Sequence, residues 1–269
     1  MDNRPVGVFD SGVGGLTVLK EIIKLVPDEN IIYFGDTARF PYGPRDLNEV
    51  RKFVYKITDF FYKQNVKLLV IACNTSTAAA LDDLKNISPI PVIGVIEPGA
   101  RAAAYTTKKN KVGVIATKGT VCSNAYEIEI KKINPEIKLF SVAAPLLVDY
   151  VEEGILSGEE LKKTIYNYLE PLNSCDIDVL ILGCTHFPLI ENEIKACCKK
   201  ETKVISSAVE TAKDIKRILE CRKIFADSID SIPFRVFYET SSTSKFLEVG
   251  KIFLGPEIKE VKKIKLDIY

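Results

Sequence analysis

The chain carries no excess of either charge: 37 Lys and Arg stand against 36 Asp and Glu in 269 residues. No strong field of one sign draws it to nucleic acid or to an anionic membrane, so a charged ligand has to be recognised locally. Long apolar runs are missing too. Residues 68–72 stop after a strand's length, well short of the ~18 apolar residues of a membrane-spanning helix. Asp2, Arg4 and Asp10 interrupt the first ten residues where a secretory signal would place its apolar core, so a soluble cytoplasmic protein is expected.

The seven cysteines, at 73, 122, 175, 184, 197, 198 and 221, form an odd set without zinc-ribbon spacing. Without a secretory signal, neither a disulfide framework nor a metal site is expected, and free thiols are the default in a reducing cytosol. Five have ordinary readings: Cys197 and Cys198 in a helical stretch, and Cys122, Cys175 and Cys221 as small half-buried residues. Histidine occurs once, at His186.

What the sequence does contain is an alternation of short β-rich runs with longer amphipathic stretches. Strands are expected at 5–9, 30–34, 68–72, 92–96, 112–115, 137–142, 179–182, 204–205 and 234–238. Helices are expected at 16–25, 47–64, 77–85, 97–106, 123–132, 145–153, 158–168, 189–199 and 209–221. That order predicts an α/β fold of mostly parallel sheets flanked by helices.

An internal repeat divides it in two. Asn65-Val-Lys-Leu-Leu-Val-Ile-Ala-Cys73-Asn-Thr75 aligns without a gap on Asp176-Ile-Asp-Val-Leu-Ile-Leu-Gly-Cys184-Thr-His186, 111 residues later. Val6-Gly-Val-Phe-Asp10-Ser11 matches Val112-Gly-Val-Ile-Ala116-Thr117 at nearly the same offset. Two similar domains follow, unless the match is a coincidence of apolar runs in a chain with many aliphatic residues. Ligands of open α/β sheets bind beyond the carboxyl ends of the strands. Each half then offers one thiol at its binding edge, and a pseudo-twofold axis would set the two across a cleft.

The residues at these ends suit proton transfer. His186 lies two residues from Cys184, and an imidazolium favours the reactive thiolate; a lone hydrogen-bonded histidine is the plain alternative. Asp10 opens Ser11-Gly12-Val13-Gly14-Gly15, whose backbone amides are suited to an anion. The loop lacks the lysine of a nucleotide P-loop and has Thr17 where a dinucleotide fingerprint needs glycine. Asp10 either braces the turn or carries a proton, and its repeat partner Ala116 shows that the fold does not demand a carboxylate there. Inverting an α-carbon needs a base on one face and an acid on the other, roles two cysteines can fill without a cofactor. No lysine stands in a context suited to a pyridoxal Schiff base. A Cys184–His186 hydrolase and a zinc module using Cys184 and His186 stay open as rivals, although the first leaves Cys73 idle and the second lacks tetrahedral spacing.

Phe9-Asp-Ser-Gly-Val-Gly-Gly-Leu-Thr-Val18, Tyr33-Phe-Gly-Asp36, Pro41-Tyr-Gly43, Ala72-Cys-Asn-Thr75 and Gly183-Cys-Thr-His-Phe-Pro188 together resemble the motifs of glutamate racemase, in the aspartate/glutamate racemase superfamily. The resemblance implies cofactor-free interconversion of L- and D-glutamate, with D-glutamate going to peptidoglycan. Cys73 and Cys184 would be the acid/base pair, Asp10 assisting the first and His186 the second. Asp10, Ser11, Tyr42, Gly43, Asn74, Thr75, Thr185 and His186 would bind the substrate. Thr117, Thr120 and Glu152 match positions near it, against plain readings as helix caps and a solvated face. Ser206 stands where the pattern leads one to expect an aspartate. A relative acting on aspartate or a hydantoin is the nearest alternative. The resemblance also implies that residues 1–97 and 210–269 form one domain and 98–209 the other, and a homodimer is expected.

Overall fold

A computed structural model describes residues 1–227 and 232–266, so two short pieces of the expected C-terminal return, 228–231 and 267–269, lie outside the described residues. The chain begins with β1 (Val6–Asp10), α1 (Leu16–Leu25), β2 (Ile31–Gly35), α2 (Leu47–Lys63), β3 (Leu68–Ile71), α3 (Asn74–Ile87) and β4 (Val92–Gly94). It crosses through α4 (Ile96–Thr106) into β5 (Lys111–Ala116), α5 (Lys118–Cys122), α6 (Ala125–Ile133), β6 (Lys138–Ala143), α7 (Leu146–Glu152), α8 (Glu159–Ser174), β7 (Val179–Gly183), α9 (Glu191–Cys197) and β8 (Lys203–Ser206). It returns through α10 (Ser207–Arg222) to β9 (Arg235–Glu239), α11 (Thr243–Leu254) and β10 (Val261–Lys263). Among the described residues no helix is long and apolar enough to cross a membrane.

Two sheets result, one ordered β10-β9-β2-β1-β3-β4 and the other β6-β5-β7-β8. Every paired neighbour in them runs parallel. Each of these sheets is covered on both faces, which explains why its central strands read as unbroken apolar runs. Along β3, Leu68 and Val70 join the core on one face while Leu69 and Ile71 join the core on the other. Along β7, Val179 and Ile181 alternate with Leu180 and Leu182 in the same way. The repeat is therefore a repeat of topology: β2-β1-β3-β4 corresponds to β6-β5-β7-β8, with Val6 opposite Leu68 in one and Val112 opposite Val179 in the other. The α/β reading of the sequence is what the chain adopts.

Equivalent glycines serve this packing. A Cβ on Gly7 of β1 would lie 2.6 Å from the Phe61 ring, and one on Gly113 of β5 would lie 2.6 Å from Ile177 Cδ1. The crossings are packed on both sides, since Ile96, Ala100 and Ala103 of α4 enter the core of the second sheet and Ala212, Ile215 and Leu219 of α10 enter the core of the first. At the end of the first sheet away from the cysteines, buried Lys67 pairs with Glu29 at 2.6 Å and donates to the carbonyls of Asp2 and Ile224, tying the N-terminus to the chain after α10. Of the cysteines expected to be half-buried, Cys175 is, whereas Cys122 and Cys221 are exposed because they fall on the outer sides of α5 and α10.

Overpacking of a tight core costs ~1–3 kcal/mol. Gly7→Ala and Gly113→Ala should each lower stability by about that much, with similar losses in the two halves, in urea unfolding. A loss of under ~0.5 kcal/mol at both sites would show that the neighbouring side chains yield.

Candidate active site

The two cysteines leave equivalent strands into one space. Cys73 follows β3 and is the N-cap of α3, with φ −74° and ψ 125°; its sulfur accepts from the Ser76 amide at 3.4 Å and lies 3.8 Å from Ser11 Oγ. Cys184 follows β7, and its sulfur is 3.7 Å from His186 Nδ1. Both thiols are buried, and both line a cavity of about 300 Å³ together with Ser11, Tyr42, Gly43, Asn74, Thr75, Thr185 and His186. The space suits a small molecule rather than a polymer. Among the described residues no cluster of three or more His, Cys, Asp or Glu side chains is placed to hold a metal ion.

Asp10 lies behind this wall, fully buried at the end of β1. Its Oδ1 accepts from the Gly12 amide at 3.0 Å and its Oδ2 from Thr185 Oγ1 at 3.3 Å, so the carboxylate both braces its own turn and reaches the other half of the molecule. The anion held by the glycine loop is thus the protein's own side chain. The glycines have a second reason. A Cβ on Gly14 would stand 2.5 Å from Thr185 Oγ1 and 2.6 Å from the His186 ring, and one on Gly15 would run into Asp10 Cβ and meet the Tyr33 hydroxyl at 2.7 Å. Only glycine lets the Cys184 loop settle on the Asp10 loop. Thr17 completes the seam by donating to the Thr185 carbonyl at 2.9 Å.

The two thiols have opposite electrostatic surroundings. Burial, aided by the nearby Asp10 carboxylate, pushes the Cys73 pKa up to about 11, against hydrogen bonds from Ser76 and Ser11. Asp10 is itself raised above the ordinary carboxylate value, chiefly by burial, although His186 and the Gly12, Gly15 and Thr185 donors oppose this. At the other thiol stands a cation. Burial alone would depress His186, but Cys184 and the Glu152 carboxylate, 2.6 Å from Nε2, lift it to about 10. His186 is therefore an imidazolium at neutral pH, next to the Cys184 sulfur.

The uncertain positions find places here. Glu152 carries the His186 bond instead of forming a solvated face. Thr117 is the N-cap of α5 but makes no side-chain cap bond; its hydroxyl lies 2.9 Å from Thr75 Oγ1 and 3.0 Å from Thr120 Oγ1, so the three bridge the halves. Tyr42 lines the cavity with its hydroxyl already given to Asp36, and the Gly43 carbonyl accepts from the Gly119 amide at 2.8 Å. Ser206 is the N-cap of α10 without a side-chain bond and does not line the cavity. Sequence reasoning did not single out Phe40, whose ring centroid is 5.9 Å from that of His186, nor Lys118 at the cavity wall. Phe40 directly precedes Pro41-Tyr-Gly43, so extending that motif by one residue reaches it.

Because His186 is the only histidine, its titration can be followed as a single imidazole signal by NMR. The midpoint should lie far above 6.5 and fall toward it in Glu152→Gln. A folded pKa above the unfolded one means that the stabilisation from His186 is complete below about 6.5 and is lost as pH rises toward about 10. A midpoint near 6.5 in the parent protein would contradict the pairing with Glu152.

Residues 6–215 match the family model described as Asp/Glu/Hydantoin racemase. The glutamate racemase of Oceanobacillus iheyensis is 47% identical over 250 residues, covering 93% of this chain and 91% of that protein. That of Corynebacterium diphtheriae is 43% identical, covering 98% of each. Among solved structures, glutamate racemase isoform RacE1 of Bacillus anthracis superposes with a TM-score of 0.95 at 44% identity, over 99% of both chains. The Francisella tularensis glutamate racemase, solved in complex with D-glutamate, gives 0.93 at 40% identity over the full length of both. With its repeated halves meeting at two buried thiols, this chain belongs to the Asp/Glu/Hydantoin racemase family, among its glutamate racemases.

Proposed function

We propose that this chain interconverts L- and D-glutamate by passing the α-proton between Cys184 and Cys73, without a cofactor, and so supplies D-glutamate for peptidoglycan. The observation that carries this reading is that two buried thiols from topologically equivalent strand ends share one small cavity. A hydrolase built on Cys184 and His186 gives the second thiol nothing to do.

The resting charges suggest where the reaction begins. The imidazolium of His186 stands 3.7 Å from the Cys184 sulfur, while Cys73 holds its proton at neutral pH. For one enantiomer, the Cys184 thiolate removes the α-proton, the electron pair passes from Cα into the carboxylate as an enolate, and Cys73 delivers a proton to the opposite face. The reverse reaction starts from a Cys73 thiolate. Asp10, with its carboxylate pKa raised by burial, is suited to take up the Cys73 proton. Ser11, Asn74 and Thr75, with Thr117 braced by Thr120, supply donors for the carboxylates and for the charge that develops on one of them, while Thr185, its hydroxyl given to Asp10, lines the site beside them. Tyr42 and Gly43 contribute shape and backbone, because the Tyr42 hydroxyl is already taken. The same reading assigns residues 1–97 with 210–269 to the half carrying Asp10 and Cys73, and 98–209 to the half carrying Cys184 and His186.

Incubated with L-glutamate in deuterated water, the protein should abolish optical rotation and introduce α-deuterium. Retention of both the rotation and the α-proton would refute the assignment. Cys73→Ser and Cys184→Ser should each reduce racemisation by roughly 10²–10⁴-fold, as expected for loss of a general acid/base. In deuterium exchange followed from each enantiomer, Asp10→Asn should slow proton transfer at Cys73 more than at Cys184, and His186→Asn the reverse. Equal losses in both directions would remove the division of labour between the two helpers.

A further inference from the structure

Asn74 opens α3 directly after Cys73 and forms part of the cavity wall. It is buried, with its Oδ1 accepting from the Tyr126 hydroxyl at 2.8 Å, whereas its Nδ2 has no partner. A buried carboxamide with an unused donor is unstable unless something meets that donor. Tyr126 belongs to α6, in the opposite half of the molecule, and does not line the cavity. Its ring is held where the two crossings meet: a Cβ on Gly99 of α4 would lie 3.1 Å from Ser207 Cβ, at the start of α10, and 3.6 Å from Tyr126 Cε1. Burial raises the Tyr126 pKa and the Ser207 side chain opposes this, as a donor beside the phenolic oxygen does, which leaves the phenol's own proton for Asn74. That assignment fixes which end of the carboxamide is oxygen.

We propose that Tyr126 is a positioning residue for substrate binding, holding the Asn74 carboxamide so that Nδ2 is presented to a carboxylate oxygen of the bound amino acid. Tyr126 touches no substrate and acts only through Asn74. The proposal presupposes that glutamate occupies this cavity. It makes ligand affinity depend on how the halves are joined, because Asn74 and Tyr126 come from different halves and Ser207 and Gly99 from the crossings between them.

Tyr126→Phe keeps the ring and its packing and removes the hydroxyl. The Kd for D-glutamate, measured by calorimetry, and the KM for both enantiomers should rise about ten-fold, the effect of one hydrogen bond to a charged group, with a smaller change in kcat and a Tm only a few degrees lower. In an Asn74→Ala background the same substitution should add nothing. Ser207→Ala, which frees the phenol to turn, should raise Kd about two- to three-fold and serves as the readout if Tyr126→Phe does not fold. An unchanged Kd in the folded Tyr126→Phe protein, an unchanged Kd in Ser207→Ala where that variant is the readout, or an equal penalty with and without Asn74, would each overturn the proposal. Failure of the parent protein to racemise glutamate would be a different result, and the calorimetric arm is independent of turnover.

Discussion

The site depends on the burial of two polar loops against each other without an intervening side chain. Gly14 is the point of contact: the Thr185 hydroxyl and the His186 ring occupy the volume that any larger residue would fill. This approach carries Thr185 to Asp10 and gives the fully buried carboxylate a partner from the other half. A buried charge without such donors would be neutralised or displaced. The interlock also positions Cys184, whose turn meets the Asp10 loop there, while Ser11 of that loop lies 3.8 Å from the Cys73 sulfur.

Around that contact the molecule is symmetric in topology and asymmetric in charge. The same strand order brings each cysteine to a carboxyl edge. Yet one thiol has a buried carboxylate for a neighbour and the other an imidazolium backed by Glu152. Two chemically identical groups thus stand among charges of opposite sign. The repeated topology supplies the geometry, and the residues after each strand supply the difference.

The support extends well behind the cavity. Gly7 and Gly113 allow helices to press on the central strand of each sheet, and Lys67 with Glu29 fastens the N-terminus to the returning chain. Tyr126 lies between the crossings and the first turn of α3, so the joining of the halves and the orientation of a cavity residue are one packing problem. Hydroxyls of Thr75, Thr117 and Thr120 close the same seam from the other side.

The sequence by itself determined the α/β class, the duplication and the two cysteines as equivalent strand ends, because apolar runs bounded by polar turns are local signals and the repeat could be read off directly. It missed α5, α11 and β10. Gly250 lowers the helical signal of α11, and only packing against Ile258, 2.8 Å from a Cβ there, shows why a glycine is needed; β10 is a three-residue edge strand with two lysines. Tertiary structure alone decided that the glycine loop braces Asp10, that Glu152 bonds to His186 across 34 residues, and that Tyr126 faces Asn74 across 52. The last two pairings join elements far apart in sequence, where periodicity and motif spacing carry no information about which side chains meet.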